Sequence, residues 1–375
     1  MRIAVVHSFY SSEQPSGENA LVIDQVDALA EAGHEVLLLS RHTDAEQTQR
    51  FYPIRAGLKV ASGMGSNPTE RLLRFRPDIV HVHNLFPNIG TRWMTRWEGP
   101  IVQSLHNYRA FCATGLLFRE GSPCFECPNQ GAWRSLIHGC YRGSRAATAP
   151  LAISRNGPAI ALLRKLSGVI TTSASSDALI RRLAPDLQTR LIHNFINSKD
   201  SAFSEVEPDE RWIAMGRLSP EKGFVELIKD WPESERLNLI GNGPQWSVVE
   251  QLTSQRGIPL IPGVPREEMR LRLAGSLGLV FPSRWPEVAP LIVIEAMRLG
   301  IPVVSHEFNG VSDLVRETDS GLTYHDAQSL KSALVETRLR RRMLSRNALS
   351  TYERLWSKYA WLRETENLYT DLLAG

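Results

Sequence analysis

The 375-residue chain has four cysteines, all between Cys112 and Cys140, so no disulfide framework can run along its length. It also lacks any apolar run approaching the ~18–20 residues that a membrane-spanning helix needs. The start, Met1-Arg2-Ile3-Ala4-Val5-Val6-His7, has too short an apolar stretch for a signal peptide and reads as a first strand. A cytoplasmic protein is the expectation. Net charge is scarce too. The 43 Lys and Arg against 40 Asp and Glu leave +3, too small an excess for wholesale nucleic-acid binding. With 42% hydrophobic and 22% charged residues, a disordered chain is excluded as well.

What is present is alternation. Ile3–Val6 suits a buried strand, Leu21, Val22, Val26, Leu29 and Ala30 recur at helical spacing, and Glu35–Leu39 is a second apolar strand. Strand, helix, strand at this length is a βαβ unit and predicts a parallel sheet. Further strands are expected at Ile79–Val82, Ile101–Ser104, Val169–Thr172 and Arg190–His193. The polar, aperiodic stretch Asn197–Arg211 reads as a linker. Beyond it a second α/β cycle runs through Trp212–Met215, Leu237–Ile240, Leu277–Phe281 and Pro302–Ser305. The length fits two domains. In such sheets ligands sit beyond the C-terminal ends of the strands.

Four segments of the second half fall where a strand hands over to a helix. Gly216-Arg217-Leu218-Ser219-Pro220-Glu221-Lys222-Gly223 brings a guanidinium and an ammonium into one loop. That suits an anionic ligand such as a diphosphate, although solvated Arg/Lys loops are common. Gly241-Asn242-Gly243-Pro244 permits either close backbone approach to a ligand or a tight turn. It is neither a dinucleotide fingerprint nor a P-loop. In Phe281–Met297, Glu287 lies before a helix opened by Pro290, and Glu295 lies inside it among apolar neighbours. A buried carboxylate needs partners. A sugar diol would supply them, as would an internal salt bridge to an arginine; the spacing favours the diol. His306-Glu307-Phe308-Asn309-Gly310 is a fourth loop of the same kind.

Glu287 and Glu295, in a Pro-Ser-x-Trp-Pro-Glu setting, match the Glu-x7-Glu signature of retaining glycosyltransferases of family 4. The Gly-Arg-Leu…Glu-Lys-Gly and Gly-x-Gly-Pro segments resemble that family's donor loops. The resemblance implies a GT-B fold, two Rossmann-like α/β domains facing each other across a cleft. The expected bounds are 1–198 for an acceptor-side domain, with a cysteine-bearing insertion at about 107–145, and 199–354 for a donor domain. A C-terminal helix at about 355–375 would rejoin the first. The implied activity is transfer of a sugar from a UDP- or GDP-linked donor to a carbohydrate or lipid-linked hydroxyl acceptor, with retention. Arg217 and Lys222 would hold the diphosphate, Glu295 the ribose and Glu287 a donor-sugar hydroxyl. Gly17, Gly241, Gly243, Val264 and the backbone at Leu291 and Ile292 would line the donor. The chain has no Asp-x-Asp, which counts against the metal-bridged diphosphate of the other large glycosyltransferase fold. No cofactor is expected for catalysis. An epimerase or sugar phosphorylase on the same fold, or an inactive nucleotide-sugar-binding homologue, is the alternative.

In the first half, the resemblance aligns His106 with the family's active-site histidine, with Asn107 where an acid often stands. Ser16-Gly17 replaces the family's pair of glycines. His81 and His83 share one strand face, a spacing that suits metal binding or structural support. Cys112, Cys124, Cys127 and Cys140 fit structural zinc or four reduced thiols, with disulfides a third reading. Residues 127–176 hold six Arg and Lys and no Asp or Glu. Such a stretch suits an anionic membrane surface, a solvated basic face or the wall of a phosphate site.

Overall fold

The computed structural model describes residues 1–12, 17–155, 158–196 and 209–374. Ser16 and most of the expected linker lie outside them. Two compact units divide the chain. The first comprises Met1–Arg119, Cys124–Asn194 and Lys358–Gly375, and the second Phe195–Ser357 with Glu120–Pro123.

The first unit opens on β1 (Arg2–Phe9), buried along nearly its whole length, and continues with β2 (Glu35–His42), β3 (Ile79–Val82) and β4 (Ile101–Leu105). Next along the chain come β5 (Phe118–Arg119), then β6 (Ser122–Pro123), which falls in the short segment grouped with the second unit, and, again in the first unit, β7 (Gly168–Thr171) and β8 (Thr189–Leu191). Six of these form a sheet in the order β2-β1-β3-β4-β7-β8. Every pairing in it is parallel. Burial on both faces explains the unbroken apolar run of β1. The order reverses between β1 and β3, which marks the place where strand ends and loops diverge to leave room for a ligand. The final helix, Lys358–Ala374, returns to this unit, with Lys358 on Glu31 at 2.6 Å and Glu366 on His34 at 2.8 Å.

The second unit repeats the plan with β9 (Arg211–Met215), β10 (Arg236–Ile240), β11 (Leu260–Ile261), β12 (Leu279–Phe281), β13 (Val303–His306) and β14 (Gly321–Tyr324). The order is β11-β10-β9-β12-β13-β14, so the reversal falls between β9 and β12. The period of two along each strand splits the core into two layers. Trp212, Ala214, Leu237, Leu239, Val280 and Val304 pack on one face. Ile213, Met215, Leu279, Phe281 and Val303 pack on the other.

Candidate active site

The loops after β9 and β12 meet at the reversal point of the second sheet. Lys222 Nζ lies 2.5 Å from Glu287 Oε1, and Ser283 Oγ donates to the same oxygen at 2.6 Å. Glu287 is buried, and the ammonium also sits 5.3 Å from the centre of the Trp285 ring. Asn309, from the fourth loop, donates to the Ser283 carbonyl at 2.7 Å and caps the helix Gly310–Glu317. Three of the four loops singled out in the sequence are therefore tied into one polar network. Arg217 is exposed, and its guanidinium bonds to none of the described residues.

Gly241 and Gly243 have a structural explanation. A Cβ at Gly241 would fall 2.0 Å from the Gly216 carbonyl, and one at Gly243 2.4 Å from that of Leu218. The close approach they permit is that of the neighbouring loop's backbone, bonded from Leu218 N–H to the Asn242 carbonyl at 2.9 Å. Val264 is half-buried against the second core layer, as are Leu291 and Ile292 at the start of the helix Leu291–Arg298. That helix has no side-chain cap; Val293 N–H bonds the Pro290 carbonyl at 3.0 Å, and the N–H groups of Leu291 and Ile292, at the first two helical positions, have no intrahelical partner.

Glu295, inside that helix, meets arginines. Arg270 Nε donates to both carboxylate oxygens at 3.2 Å, Arg266 Nε donates to Oε1 at 3.0 Å, and Arg298 Nη1 stands 3.6 Å from Oε2. Glu295 and Arg270 are both buried, whereas Arg266 is largely exposed. The internal ion pair weighed against a sugar diol is thus present in the folded chain.

The first unit places its own polar cluster at its reversal point. His7 lies on β1 two residues before its end, His81 and His83 lie on and just after β3, and His106 follows β4. His83 Nδ1 and His106 Nε2 are 2.9 Å apart with nearly parallel rings. His81 bonds to Tyr369 Oη at 2.6 Å and Ser104 Oγ at 2.8 Å, and stacks on His83 at 4.3 Å. Burial lowers His7 to about 4 and both His81 and His106 to about 3, and holds His83 well below the usual imidazole range. Neutral rings are what this network needs, since a neutral imidazole donates from one nitrogen and accepts at the other. Asn107 does not bond His106; its side chain accepts from Arg109 N–H at 2.9 Å. The partner of His106 is His83 instead.

A cavity of about 190 Å³ within this unit is lined by His83, His106, Arg109, Arg155 and Glu18 among others. Burial raises the Glu18 carboxyl to about 7 against the pull of Arg109. Gly17, one residue earlier, opens the helix Gly17–Glu31.

Two families divide the chain between them. The profile described as Glycosyltransferase Family 4 matches residues 15–200, and that described as Glycosyl transferases group 1 matches residues 197–351. The chain is a glycosyltransferase of the GT-B type. It is 24% identical to TuaC of Bacillus subtilis, named for teichuronic acid biosynthesis, over 84% of this chain and 83% of that one. It is also 24% identical to glycogen synthase of Mycobacterium tuberculosis, over 96% and 92%. Sucrose-phosphate synthase from Thermosynechococcus elongatus has the same fold, with a TM-score of 0.71 at 19% identity over 100% and 99% of the chains. Anabaena HepE in complex with UDP-glucose gives 0.63 at 15%, over 99% and 100%.

In this glycosyltransferase the four cysteines are all free of disulfides. Burial, then the neighbouring Cys112 and Cys140, raises the Cys127 thiol to about 11, and Cys140 is raised likewise. The thiols share one region, but among the described residues no three His, Cys, Asp or Glu are grouped so as to hold a metal ion. The six cations of the acid-free stretch do not form a uniform face. Arg155 turns inward to the carbonyls of Arg109 and Leu151, Arg134 is tied to Glu126, and Arg164 to Asp186. Among the described residues no helix is long and apolar enough to cross a membrane. Sequence reasoning missed Ser283, Asn309, Arg266, Arg270 and Glu18 as site residues. Ser283 and Asn309 stood inside motifs already singled out, whereas Glu18 carried no signal beyond its place at a helix start.

Proposed function

We propose that this enzyme transfers a sugar from a nucleoside-diphosphate donor to a hydroxyl acceptor, with retention at the anomeric carbon and without a catalytic metal. The observation that carries the reading is the Lys222–Glu287–Ser283 cluster at the reversal point of the second sheet. Lys222 and Ser283 both engage Oε1, which leaves Oε2 of Glu287 to accept a donor-sugar hydroxyl. Arg217 and Lys222, with the open N–H groups at Leu291 and Ile292, would neutralise the departing diphosphate, a preorganised electrostatic role. The bond from the anomeric carbon to the phosphate oxygen breaks, and the acceptor oxygen bonds to that carbon on the same face. The acceptor proton passes to the leaving phosphate oxygen, so no protein nucleophile is assigned. Gly241, Gly243 and Val264 would shape the donor pocket, and Glu295 would reach the ribose by exchanging the exposed Arg266 for hydroxyls.

His106, facing the cavity of the first unit, is assigned to the acceptor side, and the backbone of Gly17, at a helix start in the same unit, stays assigned to the donor. UDP is the favoured nucleotide, because HepE was solved with UDP-glucose, and GDP is the alternative. A bacterial surface polysaccharide or glycolipid is the proposed product class, supported by the likeness to TuaC. Structural zinc at Cys112, Cys124, Cys127 and Cys140 is a separate proposal that rests on their sequence spacing, a Cys-x-x-Cys flanked by two further thiols; elemental analysis of purified protein without zinc overturns it. The function is tested by thermal shift against UDP, GDP and their sugars, followed by transfer assays with the sugar that raises the melt. No shift with any nucleoside diphosphate rejects the donor site.

A further inference from the structure

Helix Tyr52–Ser62 lies in the first unit and contains no fully buried residue. Its outer side carries Phe51, Ile54 and Leu58, exposed by 60%, 64% and 66%. Their spacing of three and four puts them on one stripe of the helix. Three large apolar side chains in a row facing water are not explained by packing within the chain. Phe51 adds a second oddity, since it precedes the helix at φ 60°, a backbone region that bulky residues avoid. Arg50 lies over its ring at 4.7 Å.

The charges on the helix that carries the stripe are all basic. Between Glu46 and Glu70 the chain has Arg50, Arg55 and Lys59 and no acid. On the preceding helix, Thr43–Gln47, Glu46 is neutralised by Lys59 at 3.0 Å, and Asp44 is held by Ser11 and Ser12. The helix packs on the helix Arg145–Arg155, where Gly57 sits against Pro150. That second helix belongs to the acid-free stretch 127–176, and one turn beyond Pro150 it exposes Ile153. Two stretches without acidic residues are thereby brought side by side, with Arg142 and Arg145 exposed nearby.

We propose that this face docks on an anionic lipid surface, with the helix Tyr52–Ser62 lying in the interface and Phe51, Ile54 and Leu58 turned into the headgroup region. An apolar stripe flanked by cations and lacking acids matches what holds interfacial helices to anionic membranes. A second copy of the chain would bring Arg50 and Arg55 toward the same arginines, which disfavours self-association. The proposal is independent of the donor chemistry, because none of Arg50, Phe51, Ile54, Arg55 and Leu58 lines the cavity of the first unit or belongs to the donor cluster.

The test is sedimentation of the full chain with phosphatidylglycerol-containing vesicles and with neutral phosphatidylcholine vesicles. Binding is expected only to the former and is expected to weaken as salt rises. A triple variant, Phe51→Asn, Ile54→Gln, Leu58→Gln, should partition at least about tenfold less, with an unchanged melting temperature because the sites are exposed. Arg50→Gln with Arg55→Gln should remove the preference for anionic lipid. Equal behaviour of the wild type with both vesicles, or a triple variant that binds like the wild type, overturns the proposal. So does a wild type that is dimeric in solution and becomes monomeric in the triple variant.

Discussion

Glu287 and Glu295 are eight residues apart and live in different electrostatic settings. Glu287 is held by one ammonium and one hydroxyl, so Glu287→Gln keeps the shape and removes the charge. Transfer turnover should fall by about 10²–10³-fold, the scale of a lost preorganised contact, with donor KM changed far less; an unchanged kcat counts against the assignment. Glu295 is anchored from the buried side by Arg270 and from the exposed side by Arg266. Arg270→Leu should destabilise the second unit by about 3 kcal/mol, the low end for a broken buried pair, because the buried carboxylate keeps only Arg266 and the more distant Arg298. Arg266→Ala should cost under about 1 kcal/mol, as exposed pairs do. Urea midpoints of the two variants check the ordering. Both glutamates were legible in the sequence by type and spacing. Their partners were not, because Arg266 and Arg270 reach Glu295 only once the helix Arg266–Ala274 packs beside Leu291–Arg298. A linear motif carries no information about such a contact.

At the scale of elements, the loops after β9 and β10 are fitted backbone to backbone. Gly243→Ala would force its methyl group against the Leu218 carbonyl, an obstacle that cannot swing aside. A loss of about 1–3 kcal/mol is expected, together with weaker nucleotide binding, measured by urea unfolding and thermal shift. Gly257→Ala meets open space but keeps a positive φ, so it should lose stability without changing nucleotide binding. The long apolar strands announced themselves in the sequence by runs of Val, Ile and Leu. β11 and β14 did not, since β11 has two residues and β14 begins Gly-Leu-Thr, half of it only partly buried. Their pairing is set by neighbours already in place. The histidines show the same limit. Each was visible alone, but the row His7, His83, His106 exists only because the parallel register sets His7 near His83 and brings β4 alongside.

For the whole molecule, that row makes the first unit sensitive to acid. Its rings have folded-state values of about 3–4, or lower for His83, against an ordinary value of 6.5. As pH falls below 6.5 the unfolded chain takes up protons that the folded chain refuses. Stability is therefore full above that value and declines toward pH 4, at up to about 1.4 kcal/mol per pH unit for each ring. Urea midpoints should drop steeply between pH 6.5 and 4.5, and a flat profile refutes the neutral network. His81 owes part of its enclosure to Tyr369, on a helix that belongs to the first unit yet lies beyond all of the second. During synthesis, the roughly 160 residues of Phe195–Ser357 take on the order of 8–30 s at about 5–20 residues per second. The half of the enzyme that the ribosome makes first is thus the half completed last. For that interval the nascent sheet presents its histidines to the cell without the phenol that will seal them.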